Sequence, residues 1–357
     1  MKQKAIDLLR KLTEAHGAPG HEAMIRKIFR EELGACESDR SGCLIHEVKG
    51  SSPNPKVMIT GHMDEVGFMV QSFTSEGLIR FSPLGGWWGH TLLAQRVRIL
   101  TMDDQEVLGV ITSKPPHFLA KSERDKVLTL DKMFIDVGAT SPEDLKENYG
   151  IRLGDTIVPD STFTQMKNPD LLLCKAFDNR VGTGLAIQVA QAMKEEEHPN
   201  TIYSTATVQE EVGTRGAQTA ANYVRPDVAI VLEGTPADDL PGIGKDERQG
   251  ILGGGIQIRL MDPSAIANRG LSRFVISTAE ELGINHQVAV RRGGGTDAKV
   301  IHLHNTGVPT VVVGVPARYI HTHNSMIDIN DYLSGMELVK QVLKRLDAKT
   351  VASFTDF

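Results

Sequence analysis

In Thr201-Ile202-Tyr203-Ser204-Thr205-Ala206-Thr207-Val208-Gln209-Glu210-Glu211-Val212-Gly213 an apolar, β-branched run ends abruptly in two adjacent carboxylates. Such a run reads as a buried strand. Side chains alternate across a strand, so neighbouring acids point apart unless the chain turns there. Gly213-Thr214-Arg215-Gly216 supplies turn residues at that place. With a turn, one acid can hold a cation while the other moves a proton in the same cavity. An isolated pair of this kind would be a solvated acidic turn, but the chain on either side repeats the pattern.

A helical pattern over Asn179 to Lys194 precedes this strand, and another from Ala217 to Val224 follows it. Next come the strand Asp227 to Leu232 with Glu233-Gly234 at its end, and a helix near Leu271 to Leu282. Gln287 to Val290 then leads to Gly293-Gly294-Gly295-Thr296-Asp297. The strand Pro309 to Val315 ends in Pro316-Ala317-Arg318-Tyr319-Ile320-His321, and a last helix, capped by Asn330, carries Leu333, Met336, Val339 and Leu346. Before all of these lie two amphipathic helices and the strand Lys56 to Thr60, which runs into Gly61-His62-Met63-Asp64-Glu65. Alternating strands and helices predict an α/β fold with a mostly parallel sheet covered by helices. From about residue 72 to 163 the texture changes to short alternating runs separated by turns, which predicts a small β-barrel or sandwich. We therefore expect a catalytic unit of residues 1–71 and 164–357 with residues 72–163 inserted. Trp87 and Trp88 fall in the insertion and read as core or subunit-contact residues.

Composition narrows the function. A net charge of −6 leaves no electrostatic footprint for nucleic acid or an anionic membrane. Cys36, Cys43 and Cys174 cannot close a disulfide framework and include no CxxC pair, which fits a reducing compartment. The first residues lead into an amphipathic pattern and not a signal peptide, and no apolar run reaches membrane-spanning length, so a cytoplasmic protein is expected.

His62 with Asp64, Asp178, the Glu210-Glu211 pair, Glu233 and His321 all follow apolar runs. In open α/β sheets, ligand sites lie beyond the carboxyl ends of strands, so these scattered segments can converge in one crevice. Imidazole with carboxylate suits zinc, cobalt or manganese. Two histidines and three carboxylates suffice for two ions if one carboxylate bridges them. Asp64, two residues from His62, can accept the second ring N–H of that histidine. Each residue also has an ordinary role open to it: Asp178 as a helix cap, His62 as a core histidine, Glu233 as a strand-end charge, His321 and His323 as loop residues. His302 and His304, flanking Leu303, read as structural.

Gly61-His62-Met63-Asp64-Glu65, Ala176-Phe177-Asp178-Asn179-Arg180, Gln209-Glu210-Glu211-Val212-Gly213, Glu233-Gly234, Gly294-Gly295-Thr296-Asp297 and Arg318-Tyr319-Ile320-His321 together resemble the tetrahedral, dinuclear-metal aminopeptidases. That family comprises glutamyl and deblocking aminopeptidases, once labelled cellulase M, and the likeness spans nearly the whole chain. The resemblance implies a zinc-peptidase type fold with two divalent metal ions, zinc or cobalt, that activate water. It implies that His62 and Glu233 hold one ion, Glu211 and His321 the other, and that Asp178 bridges them. Glu210 is then the general base and Asp64 the residue orienting His62. Short peptides with a free N-terminus would be the substrates, and the β insertion would help assemble dimers into a homododecamer. Thr322-His323 departs from the His-Ser of relatives, so His323 competes with His321, which keeps the Arg-Tyr-Ile spacing. Lys245 to Gly250 is more charged than in relatives, which bears on substrate-facing loops. Other functions fit parts of the pattern: a dinuclear deacylase or amidase of N-acyl amino acids, a metal-independent glycoside hydrolase working through two carboxylates, and a non-enzymatic peptide-binding scaffold.

Overall fold

A computed structural model describes residues 1–356. At its centre four strands run parallel in the order Thr201–Thr207, Lys56–His62, Val228–Pro236, Thr310–Arg318. These strands are almost continuously buried, which is why they read as unbroken apolar runs. Antiparallel strands extend the sheet on both sides. Leu44–Lys49 pairs with Thr201–Thr207, and Ser325–Asp328 pairs with the end of Thr310–Arg318. The sheet is thus mixed, with a parallel core. A branch formed by Ile256–Asp262 and His286–Val290 leaves the same sheet from Thr310–Arg318.

The helix Phe177–Met193 lies against the parallel core and is buried along most of its length. Its first residues, Asp178 and Asn179, depart from helical angles, so the regular helix begins just after the Asp178 carboxyl. The approach to the sheet is very close. A Cβ on Gly182 would lie 2.1 Å from the Leu232 carbonyl oxygen and 2.4 Å from Asn179 Oδ1. Only a residue without a side chain permits that contact. The last helix, Ile329–Arg345, is capped by Asp328, whose side chain accepts from the Asn330 amide; the cap therefore falls two residues before the expected Asn330.

Six antiparallel strands between Gly67 and Pro159 close into a barrel. It has its own core, including Phe68, Val70, Ile79, Val97, Ile99, Ile111, Ile135 and Ile157. Trp87 stacks on Phe68 with ring centres 4.6 Å apart and donates to the Gly67 carbonyl, whereas Trp88 is exposed. Among the described residues no helix is long and apolar enough to cross a membrane.

Replacing Gly182 by alanine forces the helix off the sheet. We expect Gly182→Ala to destabilise the fold by about 3 kcal/mol or more. Gly293→Ala, where a Cβ meets nothing, should leave the unfolding midpoint unchanged, as thermal melts of the two variants would show.

Candidate active site

The parallel register sets the site. Thr207 is level with His62 across one strand pair, and Glu233 lies near the end of the neighbouring strand. Beyond the carboxyl edge of these strands a cavity of about 460 Å³ opens, lined by His62, Asp178, Glu210, Glu211, Glu233 and His321 among others. Every residue singled out for the constellation therefore reaches one place except Asp64, which lies immediately behind it.

His62 is buried, with Nε2 3.4 Å from Asp178 Oδ1 and 3.8 Å from both Glu210 Oε2 and Glu233 Oε2. Its Nδ1 lies 3.0 Å from the Asp64 backbone carbonyl and 3.4 Å from the Asp64 carboxylate. That carboxylate also has a second task. Its two oxygens accept from the backbone amides of Glu210 and Glu211, each at 3.0 Å. Asp64 thereby holds the acid pair as well as facing the histidine. The turn beneath the pair begins at Gln209, whose φ of 55° is left-handed, and closes with the Gly213 and Thr214 amides donating to the Glu210 carbonyl. The buried Glu22 accepts from the Gln209 amide at 3.2 Å and steadies the strained residue.

On the other side His321 Nε2 lies 3.4 Å from Asp178 Oδ2 and 3.5 Å from Glu211 Oε1. Its Nδ1 is 2.8 Å from the Gly86 carbonyl, which belongs to the barrel. Tyr319 and His321 both have left-handed backbones, φ 59° and 56°, and this double turn points His321 inward. His323 goes elsewhere: it is buried near Trp87, 6.0 Å between ring centres, with neither nitrogen hydrogen-bonded to a described residue. Burial holds its pKa down at about 4. His302 bonds back to the Ala298 carbonyl on a short helix.

Beneath the site lies a buried ion cluster that the motifs did not reveal. Glu65 accepts from Lys175 Nζ at 2.6 and 2.7 Å and from Arg180 Nη2 at 3.0 Å. Lys175 also reaches the Ala15 carbonyl and Arg180 the Leu12 carbonyl, tying the first helix to the His62 loop. Asn179 donates to the Leu232 carbonyl at 2.8 Å and accepts from the Gly234 and Gly182 amides at 2.9 Å, so it clamps the residues flanking Glu233. Asp297, from the glycine-rich loop, is buried with one oxygen bonded by Thr207. Its loop is among the motifs read from the sequence, but Asp297 itself has no role assigned there.

The electrostatics are those of a cation site. Burial first, then the charges of Asp297, Glu211 and Asp64, raise the Glu210 carboxyl well above its ordinary range against the opposing pull of His62. Glu233 is raised in the same way, by burial and then by Asp178, Glu210 and Asp297. Burial and Asp178 push Glu211 up to about 7, and burial pushes Asp297 up to about 6. Burial opposes protonation of His62 and His321, but hydrogen-bonded Asp178 outweighs it in both, and His321 rises to about 9. Asp178 is correspondingly held below the usual range by the two imidazoles. Two donor groups share Asp178: His62, Asp178 and Glu233, and Asp178, Glu211 and His321, the candidate atoms of each within 4.8 Å of one another. His62, Glu210 and Glu211 form a third. Glu211 Oε1 is buried with no hydrogen-bond partner. Carboxylate and imidazole donors at this spacing, with an orphaned buried oxygen, fit divalent metal.

A family model described as M42 glutamyl aminopeptidase matches residues 42–338. The glutamyl aminopeptidase of Lactococcus lactis is 32% identical over 98% of this chain and 99% of its own. Among solved structures, a TET aminopeptidase from a marine sediment archaeon has a TM-score of 0.95 at 42% identity, covering 99% of this chain and 100% of that one. The Pyrococcus horikoshii TET1 peptidase, described as able to assemble into a tetrahedron or a large octahedral shell, has a TM-score of 0.84 at 30% identity, covering 96% and 100%.

Groups held above their ordinary pKa bind more protons folded than unfolded, so their stabilising effect is complete at low pH and lost as pH rises. Asp297 and Glu211 lose theirs through about 6 and 7, and His321 loses its own through about 9. Asp178 acts in the opposite sense, and only below its ordinary 3.8. The chelated protein should therefore melt lower by roughly 5 °C or more as pH rises from about 5 to about 9. Saturating zinc or cobalt should flatten that slope, and scanning fluorimetry across pH with and without metal measures both.

Proposed function

The chain belongs to the M42 glutamyl aminopeptidase family, and on that premise we propose that it is a metal-dependent aminopeptidase releasing N-terminal residues from short peptides. The observation that carries this reading is the pair of donor groups sharing the Asp178 carboxylate. His62, Asp178 and Glu233 would hold one divalent ion, and Asp178, Glu211 and His321 a second. Zinc and cobalt suit the donors best, and bound there they supply the Lewis acidity that makes water nucleophilic near neutral pH.

The chain's own groups do the rest. Glu210, which lies outside the two groups that share Asp178 and which the family resemblance implies as general base, is assigned to proton transfer. Its raised pKa suits a group that takes a proton from water and returns it to the leaving amine. Asp64 fixes the Glu210-Glu211 backbone from behind, so the base and the neighbouring ligand hold separate positions. Carboxylates on the cavity floor favour a protonated α-amine, which restricts cleavage to the first residue. We assign the α/β part to catalysis and the barrel, whose first strand Gly67–Phe73 begins before the expected boundary at residue 72, to assembly into a homododecamer built from dimers. The shells described for the Pyrococcus horikoshii relative support this, as do the exposed Trp88, Phe118 and Val127 on the insertion. Three free cysteines suit a cytoplasmic location.

Glu210→Gln should retain metal yet lower turnover of an aminoacyl chromogenic substrate by ~10²–10⁴-fold. Asp178→Ala should lose bound metal by elemental analysis. Dialysis against EDTA should abolish activity and added cobalt or zinc restore it; N-acetylation of the substrate should block cleavage, and cleavage that survived it would indicate a deacylase instead.

A further inference from the structure

Just past the strand Thr201–Thr207, three consecutive backbone amides donate to carboxylates from elsewhere in the chain. Those of Glu210 and Glu211 go to the two oxygens of Asp64, and that of Gln209 goes to Glu22 Oε1 at 3.2 Å. Asp64 stands directly behind the candidate site, whereas Glu22 precedes the helix Ala23–Leu33 and lines no part of the cavity. An acid at that place ordinarily caps its own helix. The Glu22 side chain makes no such bond. It is buried, 5% exposed, and the same Oε1 also accepts from the Gly20 amide at 2.7 Å.

Gln209 supplies the reason for this placement. Its left-handed backbone, φ 55°, is unfavourable for a residue with a side chain and persists only where neighbouring groups enforce it. Arg215 bonds the Gln209 carbonyl and side chain, each at 3.2 Å, but Arg215 opens the helix that follows the same turn. Among the described residues, Glu22 is the only hydrogen-bond partner of Gln209 from a distant part of the chain. That partner is itself anchored. The Gly17 carbonyl, on the loop leading to Glu22, accepts from the Glu65 amide at 3.0 Å and from Arg180 Nη2 at 3.4 Å, which ties the loop to the buried ion cluster. The reversal at Gln209 decides where the next side chain goes, so a hold on its amide is a hold on the direction of Glu210.

Resting on the aminopeptidase reading above, we propose that Glu22 is a positioning residue for the reaction: through the Gln209 amide it fixes the turn that aims the Glu210 carboxyl into the cavity. The contact is one of reach and not of charge. Burial, then the charge of Asp64, raise the Glu22 carboxyl to about 7, and Oε1 accepts whether the acid is ionised or carries its proton on Oε2. A glutamine oxygen in the same place can therefore replace it, and an aspartate, one methylene shorter, cannot.

In Glu22→Ala and Glu22→Asp, at saturating cobalt or zinc, kcat for an aminoacyl p-nitroanilide should fall about tenfold or more, with KM changed by less than about threefold and bound metal retained. Glu22→Gln should recover most of the lost kcat. Glu22→Asp carries the comparison if Glu22→Ala fails to fold. Unchanged kcat in Glu22→Asp would overturn the proposal, as would a Glu22→Gln that falls as far, or a loss of metal in place of turnover. Amide hydrogen exchange of the metal-free protein reads the same hold without turnover. Exchange across residues 208–214 should speed up about tenfold or more in Glu22→Asp and stay slow in Glu22→Gln, with the strand Val228–Pro236 unchanged in both. Acceleration throughout the chain would make Glu22 merely structural and overturn the positioning role. If the unmodified protein cleaved no aminoacyl substrate yet the variants showed this exchange pattern, the aminopeptidase reading alone would fall and Glu22 would remain the hold on the acid pair.

Discussion

Six carboxyl groups and two imidazoles crowd the carboxyl edge of four parallel strands, and most of the surrounding structure exists to hold them there. Asp64, Asp178, Glu210, Glu211, Glu233 and Asp297 share a largely buried space. Two like charges 4 Å apart repel by about 4 kcal/mol at an effective dielectric of 20. Left alone, such a cluster protonates or swells. The protein opposes both by immobilising the groups. Backbone amides hold Asp64, side-chain amide bonds clamp the strand at Glu233, and the charged triad Glu65, Lys175 and Arg180 pins the floor from below. That rigidity keeps the carboxyls positioned for a cation and stops them from relaxing apart.

Rigidity at this point is a packing property before it is an electrostatic one. The helix carrying Asp178 approaches the sheet so closely that Gly182 has no room for a methyl group. Asn179 uses the same closeness to bond across to the Glu233 strand. Helix and strand therefore behave as one body, and the shared carboxylate and the terminal glutamate keep their spacing. Burial of Lys175 and Arg180 would be costly in isolation, since removing one partner of a buried ion pair strands the other. Here Glu65 and main-chain carbonyls satisfy them together.

What could be read from the chain beforehand was whatever is local. Apolar runs ending in His62, Glu210-Glu211 and Glu233 announce strands and strand ends, and the parallel core carries them to one edge. The change of texture after the His62 strand announces the barrel. What stayed hidden depends on chain segments meeting. Nothing adjacent to Asp64 indicates that its carboxylate caps amides nearly 150 residues away. The motif ending in Asp297 was legible but not what that carboxyl touches, and Glu22, at the start of an ordinary amphipathic helix, does not resemble a site residue. The Arg-Tyr-Ile spacing favours His321 over His323, but the cause of their different directions is backbone sign. Left-handed Tyr319 and His321 reverse the chain, sending one imidazole to Asp178 and Glu211 and the other to Trp87. Side-chain spacing alone carries no record of such a reversal.

The carbonyl of Gly86 seats His321, and its neighbour Gly85, at φ 90°, has Val66 and Glu211 against it. The barrel thus meets the α/β part beside the candidate site through this peptide, in addition to Arg98 donating to the Glu14 carbonyl and Thr156 lying against His16. Over evolutionary time this divides the insertion into two regimes. Its outer strands and surface can drift to suit new neighbours, while the short run from Leu84 to Trp87 must keep its shape for the histidine to stay aligned. In a graft of this barrel from a distant relative, the seating of His321 would depend on those few backbone atoms, whatever the quality of the rest of its core.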